Sequence, residues 1–458
     1  MSEPYKSENL FAIVVHPALR GDDGLRSPEA RLEEAAGLAA AIDLDVVATM
    51  IARVVTPRSA TLLGGGKVEE IKALLDLHEP RPSLVIVDGA LTPVQHRNLE
   101  KEWNAKVLDR TALILEIFGA RAQTAEGRLQ VDLAHLNYQR SRLVRSWTHL
   151  ERQRGGAGFL GGPGERQIES DRRALDDKII RLKHKLEDVR RTRTLQRAKR
   201  KRAPHPVVAL VGYTNAGKST LFNRLTKSTV MAEDQLFATL DPTMRAVDLP
   251  SGVRAILSDT VGFISELPTQ LVAAFRATLE EVLEADIIIH VRDIAHEDSD
   301  AQRADVIKVL GELGLHGDDG RPVIEALNKI DLLDENDRLD VEAIARLSQM
   351  NEIGTLAEPV RTAISAEHGD GVEKLLNLVE IALTAEHGKL AIRLPAPFGA
   401  ARAWLHARSD IIEEISSGED LIITARMSEK TEGQFFKLFP SASAAPRDDQ
   451  SDLTEKRA

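Results

Sequence analysis

Cysteine is absent from this chain of 458 residues. Its absence excludes disulfide bonds, thiolate zinc sites and a cysteine nucleophile together. The sequence also lacks any run of about 18 apolar residues, so it predicts no membrane-spanning helix. Residues 1–20 carry Glu3, Lys6 and Glu8 without a cleavable apolar stretch, which argues against a signal peptide. We therefore expect a cytosolic, cytoplasmic protein.

Net positive charge is confined to one segment of an otherwise acidic chain. The chain has a net charge of -11, yet residues 140–202 hold 20 Lys and Arg against 8 Asp and Glu; that segment carries +12, the remainder -23. A localised basic segment on an acidic body is attracted to nucleic acid phosphates. We interpret it as an RNA-binding segment. The alternative is a solvated coiled coil whose charges only face water.

The length exceeds what one hydrophobic core usually supports, so several domains are expected. Residues 1–124 alternate apolar runs such as Phe11–Val15 and Leu84–Val87 with amphipathic stretches, a pattern that predicts a small α/β domain. Gly64–Lys67 precedes a predicted helix at Val68–Leu75. We interpret these glycines as a turn rather than a phosphate-binding nest, because they lack the spacing of a nucleotide loop.

Residues 125–203 have the pattern of two long helices. Apolar residues recur every seven positions at Leu129, Leu136 and Leu143, and again at Ile168, Leu175, Leu182 and Val189. This interval predicts two helices packed antiparallel. The glycine-rich residues 155–164 cannot continue either helix, so they are predicted to form the exposed tip of the hairpin.

The C-terminal half divides into three parts. Residues 204–386 repeat the order strand, loop, helix. Residues 387–440 form a short βαβ-like segment, a small α+β domain with strands predicted at Leu390–Leu394 and Leu421–Ala425. The polar residues 441–458 are predicted to be a disordered tail.

A phosphate-binding loop is predicted at Gly212–Ser219. The apolar strand Val207–Val211 leads directly into this segment, which fits G-x-x-x-x-G-K-[ST] at every position. Its backbone N–H groups can wrap phosphates, Lys218 can contact the β- and γ-phosphates, and the Ser219 hydroxyl can ligate Mg²⁺.

The downstream motif selects guanine. Asn328–Asp331 reads N-K-x-D and follows the predicted strand Val323–Leu327, at the sheet edge where α/β proteins bind ligands. The Asp331 carboxylate can accept the two donors of guanine, whereas adenine offers no such donors. Ser365 and Ala366 follow the next predicted strand, and their backbone is expected to reach the guanine oxygen.

Two segments are predicted to sense the γ-phosphate. Asp259–Gly262 ends a predicted strand, with Asp259 near Mg²⁺ and the Gly262 N–H near the γ-phosphate. Phe237–Asp241 lies between this segment and the phosphate loop. Within it we assign Thr239 to Mg²⁺ and the γ-phosphate; Thr243 is the competing choice.

The residue after Gly262 is Phe263, where many GTPases have a glutamine that orients the attacking water. Phenylalanine cannot orient water, so slow hydrolysis is expected without help from another side chain, a partner or a cation. Asn215 is a candidate for holding a monovalent cation such as K⁺; its alternative role is to stabilise the loop.

These motifs together define the predicted nucleotide site. The catalytic candidates are Lys218, Thr239 and Gly262, and the Mg²⁺ ligands are Ser219 and Thr239. The residues predicted to contact GTP or GDP are Gly212, Tyr213, Thr214, Asn215, Ala216, Gly217, Lys218, Ser219, Phe237, Ala238, Thr239, Leu240, Asp241, Asp259, Thr260, Val261, Gly262, Asn328, Lys329, Ile330, Asp331, Ser365, Ala366 and Glu367.

With these motifs placed, the sequence resembles the HflX family of ribosome-associated GTPases over residues 10–440. The resemblance rests on the four nucleotide motifs and on two further segments, Asp88–Phe118 and Gly161–Arg173. It implies an α/β multidomain fold: an N-terminal α/β domain, a long helical hairpin, a P-loop GTPase domain with a mostly parallel, doubly wound sheet, and a small C-terminal domain.

The resemblance also implies binding to the 50S ribosomal subunit and the 70S ribosome, with rRNA contacts from residues 140–202. It implies a role in splitting, rescuing or recycling ribosomes under stress. A monomer is expected. The alternatives are an assembly GTPase acting on free large subunits and a passive RNA-binding protein. The hairpin tip departs from the family at Phe159–Gly161 and Arg166, which affects its expected rRNA contacts.

Overall fold

The computed structural model describes residues 10–21, 26–122, 124–153, 163–200, 205–227, 243–265, 281–315, 321–349, 354–385, 388–395, 399–417, 420–427 and 429–444. In these ranges the chain forms three β-sheets, of four, six and four strands, together with a long helical hairpin.

The N-terminal unit is a small α/β sandwich. Its elements are β1 (Phe11–Leu19), α1 (Pro28–Ala40), β2 (Asp45–Val54), α2 (Gly65–Leu77), β3 (Leu84–Val87), α3 (Pro93–Trp103), β4 (Lys106–Asp109) and α4 (Arg110–Arg121). All strand pairs are parallel, in the order β2-β1-β3-β4. Gly64 is the N-cap of α2 and has an extended backbone, with φ -67° and ψ 151°. Asp109 ends β4 and starts α4 by accepting a hydrogen bond from the Ala112 N–H at 2.8 Å.

The hairpin consists of α5 (Ala125–Gln153) and α6 (Pro163–Arg200). On α6, Leu175, Leu182 and Val189 of the predicted stripe are half-buried, and the buried side chains are Ile179 and Leu186, each four residues after one of them. On α5, Leu129 and Leu136 are likewise half-buried, and Val131 and Ala134 are buried in a core shared with α4. One face of α5 therefore packs on the N-terminal sandwich. The predicted tip falls mostly on residues 154–162, outside the described residues.

The central unit carries the six-stranded sheet. Its elements are β5 (Val207–Gly212), α7 (Lys218–Thr226), β6 (Thr243–Asp248), β7 (Arg254–Asp259), β8 (Ile287–Asp293), α8 (Ser299–Glu312), β9 (Val323–Asn328), a 3₁₀ turn (Ile330–Leu332), α9 (Glu335–Ser348), β10 (Val360–Ala363) and α10 (Val372–Ala385). The strand order is β10-β9-β8-β5-β7-β6, and β6 alone of these strands runs antiparallel to its neighbour. The loops that follow β5, β7, β9 and β10 lie at the carboxyl ends of parallel strands.

A continuous hydrophobic core joins the N-terminal and central units. Leu113 and Phe118 of α4 belong to the same buried cluster as Val261 and Phe263, which follow β7. The exposed fraction of Phe263 is 2%. Burying a large aromatic side chain stabilises a structure by roughly 1.5–3 kcal/mol. Phe263 therefore contributes to the docking of the two units.

The C-terminal unit contains more elements than a βαβ segment. It comprises β11 (Gly388–Pro395), α11 (Gly399–Arg408), β12 (Asp410–Ser417), β13 (Asp420–Met427), α12 (Glu429–Leu438) and β14 (Ser443–Ala444). The order is βαββαβ, with an antiparallel sheet β12-β13-β11-β14. The strand β12, at the edge of this sheet, was not predicted. Polar residues interrupt its apolar pattern: Glu414, in its middle, accepts a hydrogen bond from Arg402 Nη2 of α11 at 2.7 Å.

Among the described residues, no helix combines the length and the apolar character needed to cross a membrane.

Candidate functional site

The loop from β5 to α7 is shaped around its glycines. Gly212 has φ +153°, and a Cβ there would lie 2.2 Å from the Val291 carbonyl oxygen. Asn215 and Gly217 also have positive φ, +60° and +91°. Gly217 is the N-cap of α7 and forms no side-chain capping bond. The first turn of α7 therefore presents its backbone N–H groups and the positive end of its dipole to a ligand, an arrangement that binds phosphate.

Lys218 is buried at the start of α7. Its Nζ donates a hydrogen bond of 2.6 Å to the Tyr213 carbonyl oxygen. Burial lowers its pKa to about 8, with the charge of Asp259 acting in the opposite direction. A cation placed in this way gains a favourable counter-charge when a phosphate binds.

The oxygens of Ser219 and Asp259 meet beside Lys218. Ser219 Oγ donates to Asp259 Oδ2 at 2.9 Å, which brings together α7 and the end of β7. A hydroxyl and a carboxylate are ligand types suited to Mg²⁺, with the remaining positions left to water and phosphate.

Gly262 faces the phosphate loop closely. A Cβ on Gly262 would lie 2.8 Å from Thr214 Cγ2 and 3.1 Å from Lys218 Nζ. The next residue pairs with the loop: the Thr214 N–H donates to the Phe263 carbonyl at 2.8 Å, and the Phe263 N–H donates to the Gly212 carbonyl at 3.1 Å. The adjacent Thr260 is anchored by its hydroxyl, which donates to the Leu210 carbonyl at 2.6 Å. The backbone at Gly262 is thereby held against the phosphate loop.

Asn328 connects three loops. Its Nδ2 donates to the Ala216 carbonyl at 2.8 Å, and its Oδ1 accepts a hydrogen bond from the Ala366 N–H at 2.8 Å. Lys329 has φ +67°, and its Nζ lies 2.8 Å from Asp293 Oδ2. Asp331 lies in the 3₁₀ turn that follows, Ile330–Leu332. Asn328 and the residues after it therefore link the phosphate loop to the segment expected to recognise the base.

The loop after β10 closes the opposite side. Ser365 Oγ accepts a hydrogen bond from the His368 N–H at 3.0 Å, and His368 Nε2 lies 4.0 Å from Asp331 Oδ2. Arg224 of α7 donates to the Ala366 carbonyl at 2.6 Å and also to the Glu367 carbonyl. Arg224 was not among the predicted site residues, because a lone arginine on a helix gives no indication that it binds a loop distant in sequence.

The structure thus brings together the predicted residues of the loop, of Asp259–Gly262, of Asn328–Asp331 and of Ser365–Glu367. The predicted segment Phe237–Asp241, with Ala238, Thr239 and Leu240, lies outside the described residues. The competing choice, Thr243, is the first residue of β6 and pairs with Asp259 across the sheet. Asn215 is exposed in the loop.

Tyr213 is oriented differently from the rest of the loop. Its side chain is buried and turns away from the phosphate site toward the N-terminal unit, where its hydroxyl meets Glu34. The motif alone predicts that Tyr213 contacts the nucleotide. In the structure it is the Tyr213 backbone that meets Lys218, and its side chain belongs to the domain boundary.

The parallel sheet, the glycine loop with its buried lysine and the Asn328 bracket define a P-loop GTPase, which binds GTP and GDP and hydrolyses GTP. Three family models match in series: the GTP-binding GTPase N-terminal region at residues 29–119, the GTP-binding GTPase middle region at 121–200, and the 50S ribosome-binding GTPase at 207–329.

Two relatives that match over most of their length support the same classification. GTPase HflX of Magnetococcus marinus is 50% identical over 389 residues, covering 85% of this chain and 86% of the relative. GTPase HflX of Escherichia coli (strain K12) is 40% identical over 403 residues, covering 88% and 90%. The chain belongs to the HflX GTPase family. A solved GTP-binding protein from Sulfolobus solfataricus in complex with GDP is 25% identical, with a TM-score of 0.43, and covers 82% of this chain and 99% of that one.

Proposed function

We propose that this GTPase binds the large ribosomal subunit and uses GTP binding and hydrolysis to split, rescue or recycle 70S ribosomes in the cytoplasm, as a monomer. The observation that supports this most directly is the exposed basic surface of α6. Seven of its described cations are exposed: Arg172, Arg173, Lys178, Arg181, Lys183, Lys185 and Arg191. Because these side chains are exposed, they can reach rRNA phosphates.

Within the site we assign each residue a role. The backbone of Gly212–Ser219 and Lys218 hold the phosphates, Asp331 and Ala366 recognise guanine, and the Gly262 N–H contacts the γ-phosphate. Ser219 and Thr239 would hold Mg²⁺, which would neutralise negative charge on the phosphates. Asn215 is placed to help hold K⁺ beside the same oxygens.

The hydrolysis step needs assistance in this proposal. Phe263 is buried in the interdomain core and has no group that can orient water. We expect slow basal turnover, increased at least about tenfold by 50S or 70S particles, and further increased when K⁺ replaces Na⁺. Turnover is to be measured with 30S, 50S and 70S particles in both salts. Fast turnover by the isolated protein, equal in both salts, contradicts this expectation.

The same measurements separate the proposal from its alternatives. An assembly GTPase would be stimulated by 50S but not by 70S particles, and a passive RNA-binding protein by neither. Sedimentation with GDP, GTP and a non-hydrolysable analogue shows whether the nucleotide changes ribosome affinity. Light scattering with the analogue then reports whether 70S particles separate into subunits.

The basic surface gives a second prediction. Reversing the charge at Arg172, Arg173 and Lys178 should weaken ribosome binding, most strongly at low ionic strength, because exposed charges attract phosphates only within about 10 Å at 0.1 M salt. Sedimentation with 50S subunits at several salt concentrations measures the effect.

The matched control reverses three exposed cations of the N-terminal unit, Lys72, Arg97 and Lys101. It changes the net charge by the same amount. Equal weakening by both triple variants would attribute the effect to net charge alone and remove α6 from the contact.

A separate variant tests the end of the hairpin. Deletion of residues 150–166 should leave GTP binding intact and abolish the stimulation of GTP hydrolysis by ribosomes.

A further inference from the structure

A buried polar cluster joins the N-terminal unit to the GTPase site. It consists of Glu34 on α1, Arg110 at the start of α4, Tyr213 in the phosphate loop, and Ser265, three residues beyond Gly262. Tyr213 Oη donates to Glu34 and accepts a hydrogen bond from the Ser265 N–H at 2.6 Å. Ser265 Oγ donates to Glu34 Oε2 at 2.8 Å. Arg110 Nη2 donates to Ser265 Oγ at 2.6 Å and to the Ser265 carbonyl at 3.1 Å.

The Tyr213 hydroxyl is saturated by these contacts. It also accepts a hydrogen bond from Arg26 Nη1 at 2.8 Å, and the Arg26 guanidinium lies 4.9 Å from the centre of the tyrosine ring. A phenol has one donor and two acceptor sites, and all three are used. Burial raises the Tyr213 pKa and keeps the hydroxyl protonated. Burial acts to raise the Glu34 pKa, but Arg110, Tyr213, Arg26 and Ser265 together lower it.

The Arg110 guanidinium is also bound by residues of the N-terminal sheet. Its Nη1 lies 2.5 Å from Asp88 Oδ1, and the other oxygen of Asp88 is 2.8 Å from His16 Nδ1. Asp88 directly follows β3, and His16 lies within the neighbouring strand β1. The guanidinium that reaches Ser265 is therefore fixed by the N-terminal sheet, and small movements of Ser265 would break well-aligned, charge-assisted bonds.

The segment from Gly262 to Ser265 is consequently restrained at two points. Phe263 pairs with the phosphate loop through both backbone groups, and Ser265 is bound by the cluster. Gly262 precedes both points and already packs against Thr214 and Lys218. Under the role proposed above for the Gly262 N–H, on which the following inference rests, both restraints act next to the group that contacts the γ-phosphate, which GDP lacks.

We propose that Tyr213, with Glu34 and Arg110, is a positioning residue for the γ-phosphate: it holds Ser265 so that the Gly262 N–H faces the phosphate loop before GTP arrives. Because GDP does not reach Gly262, the cluster contributes to binding GTP and not GDP. The N-terminal unit therefore takes part in discrimination between the two nucleotides, through side chains that touch neither.

The test compares the two nucleotides in one variant of the full chain. Tyr213→Phe removes the hydroxyl and keeps the ring in the interdomain core. We expect the affinity for a non-hydrolysable GTP analogue to fall about five- to tenfold, the effect of losing a well-placed hydrogen bond, while GDP affinity is unchanged. The GTPase turnover number should fall with it. Isothermal titration with the analogue and with GDP measures the ratio.

Tyr138→Phe is the matched control. Tyr138 Oη also donates to a buried carboxylate, Asp109 Oδ1, at 2.7 Å, but this pair lies where the hairpin meets the N-terminal unit and does not contact Ser265. The control should lose stability without changing either affinity. Thermal melting of both variants separates the loss of folding free energy from the change in discrimination.

Ser265→Ala provides a second variant if Tyr213→Phe does not fold. It deletes the hydroxyl that links Glu34 to Arg110 and keeps the backbone N–H, so the expected change has the same direction and a smaller size. An equal fall for GDP and the analogue would make the cluster merely structural and overturn the proposal. Tighter binding of the analogue would overturn it as well, since the cluster would then oppose the GTP state.

Discussion

Replacing Asp331 by asparagine is expected to lower GTP affinity on the order of 10³-fold and to make xanthosine triphosphate the better ligand. The carboxylate accepts hydrogen bonds from N1–H and the 2-amino group of guanine. An amide supplies only one acceptor, leaving a guanine donor unpaired, but its N–H can donate to the xanthine 2-oxo group. The loss is large because an unpaired buried polar group forfeits its hydration as well as its partner.

Competition between the two triphosphates for the wild-type and Asp331→Asn proteins measures this exchange. Asp334→Asn is the matched control, because Asp334 is the N-cap of α9, where its side chain accepts a hydrogen bond from the Asp337 N–H at 2.9 Å, and asparagine caps a helix equally well. The control should retain guanine selectivity. If Asp331→Asn also retained it, the base-recognition assignment would be wrong.

The nucleotide segments are predictable from sequence because each is local. The strand Val207–Val211, the glycine loop and the helix after it are contiguous, so hydrophobic pattern and motif specify them together; the structure has β5, the loop and α7 in that order. The same holds for β9 and the Asn328–Asp331 segment. The parallel arrangement then brings the loops to one edge of the sheet without further information.

The domain boundary is not predictable in this way. Ser265 and Glu34 are 231 residues apart in the chain, and Tyr213 and Glu34 are 179 apart. In the sequence, a tyrosine in a phosphate loop and a glutamate on an amphipathic helix are both ordinary residues. No local pattern shows which surfaces of two domains will contact each other. Phe263 illustrates the same limit: the sequence shows that it cannot orient water, whereas only the structure shows it buried at 2% exposure in a core shared by two units.

The apolar stripe of α5 shows how one pattern can serve two neighbours. The seven-residue interval predicts a single face toward α6, yet the buried side chains of Val131 and Ala134 pack with the N-terminal unit. Leu129 and Leu136 are half-buried. A helix contacted from two sides needs a wider apolar surface than a coiled-coil seam, so the heptad alone underestimates its contacts.

The second large effect is expected from Gly217→Ala. The new Cβ would lie 2.2 Å from Asn328 Nδ2, and real carbon atoms do not approach so closely. Asn328 cannot retreat, because its amide is bonded at both ends, to the Ala216 carbonyl and to the Ala366 N–H, each at 2.8 Å. The loops that hold phosphate and base would both shift. We expect GDP and GTP affinities to fall together by about 100-fold or more. This corresponds to a loss of about 2.8 kcal/mol of binding free energy.

Gly252→Ala separates this clash from backbone strain. Gly252 has φ +87°, close to the +91° of Gly217, but no described heavy atom lies within 4 Å of its Cβ position. Both variants place alanine in the left-handed region, which costs roughly 1–2 kcal/mol of folding free energy. Thermal melting should therefore show a loss in both, whereas titration with GDP should show a loss only in Gly217→Ala. If Gly217→Ala lost no more nucleotide affinity than Gly252→Ala, Asn328 would be free to move, and its bracing of the phosphate loop against the base segment would contribute little to binding.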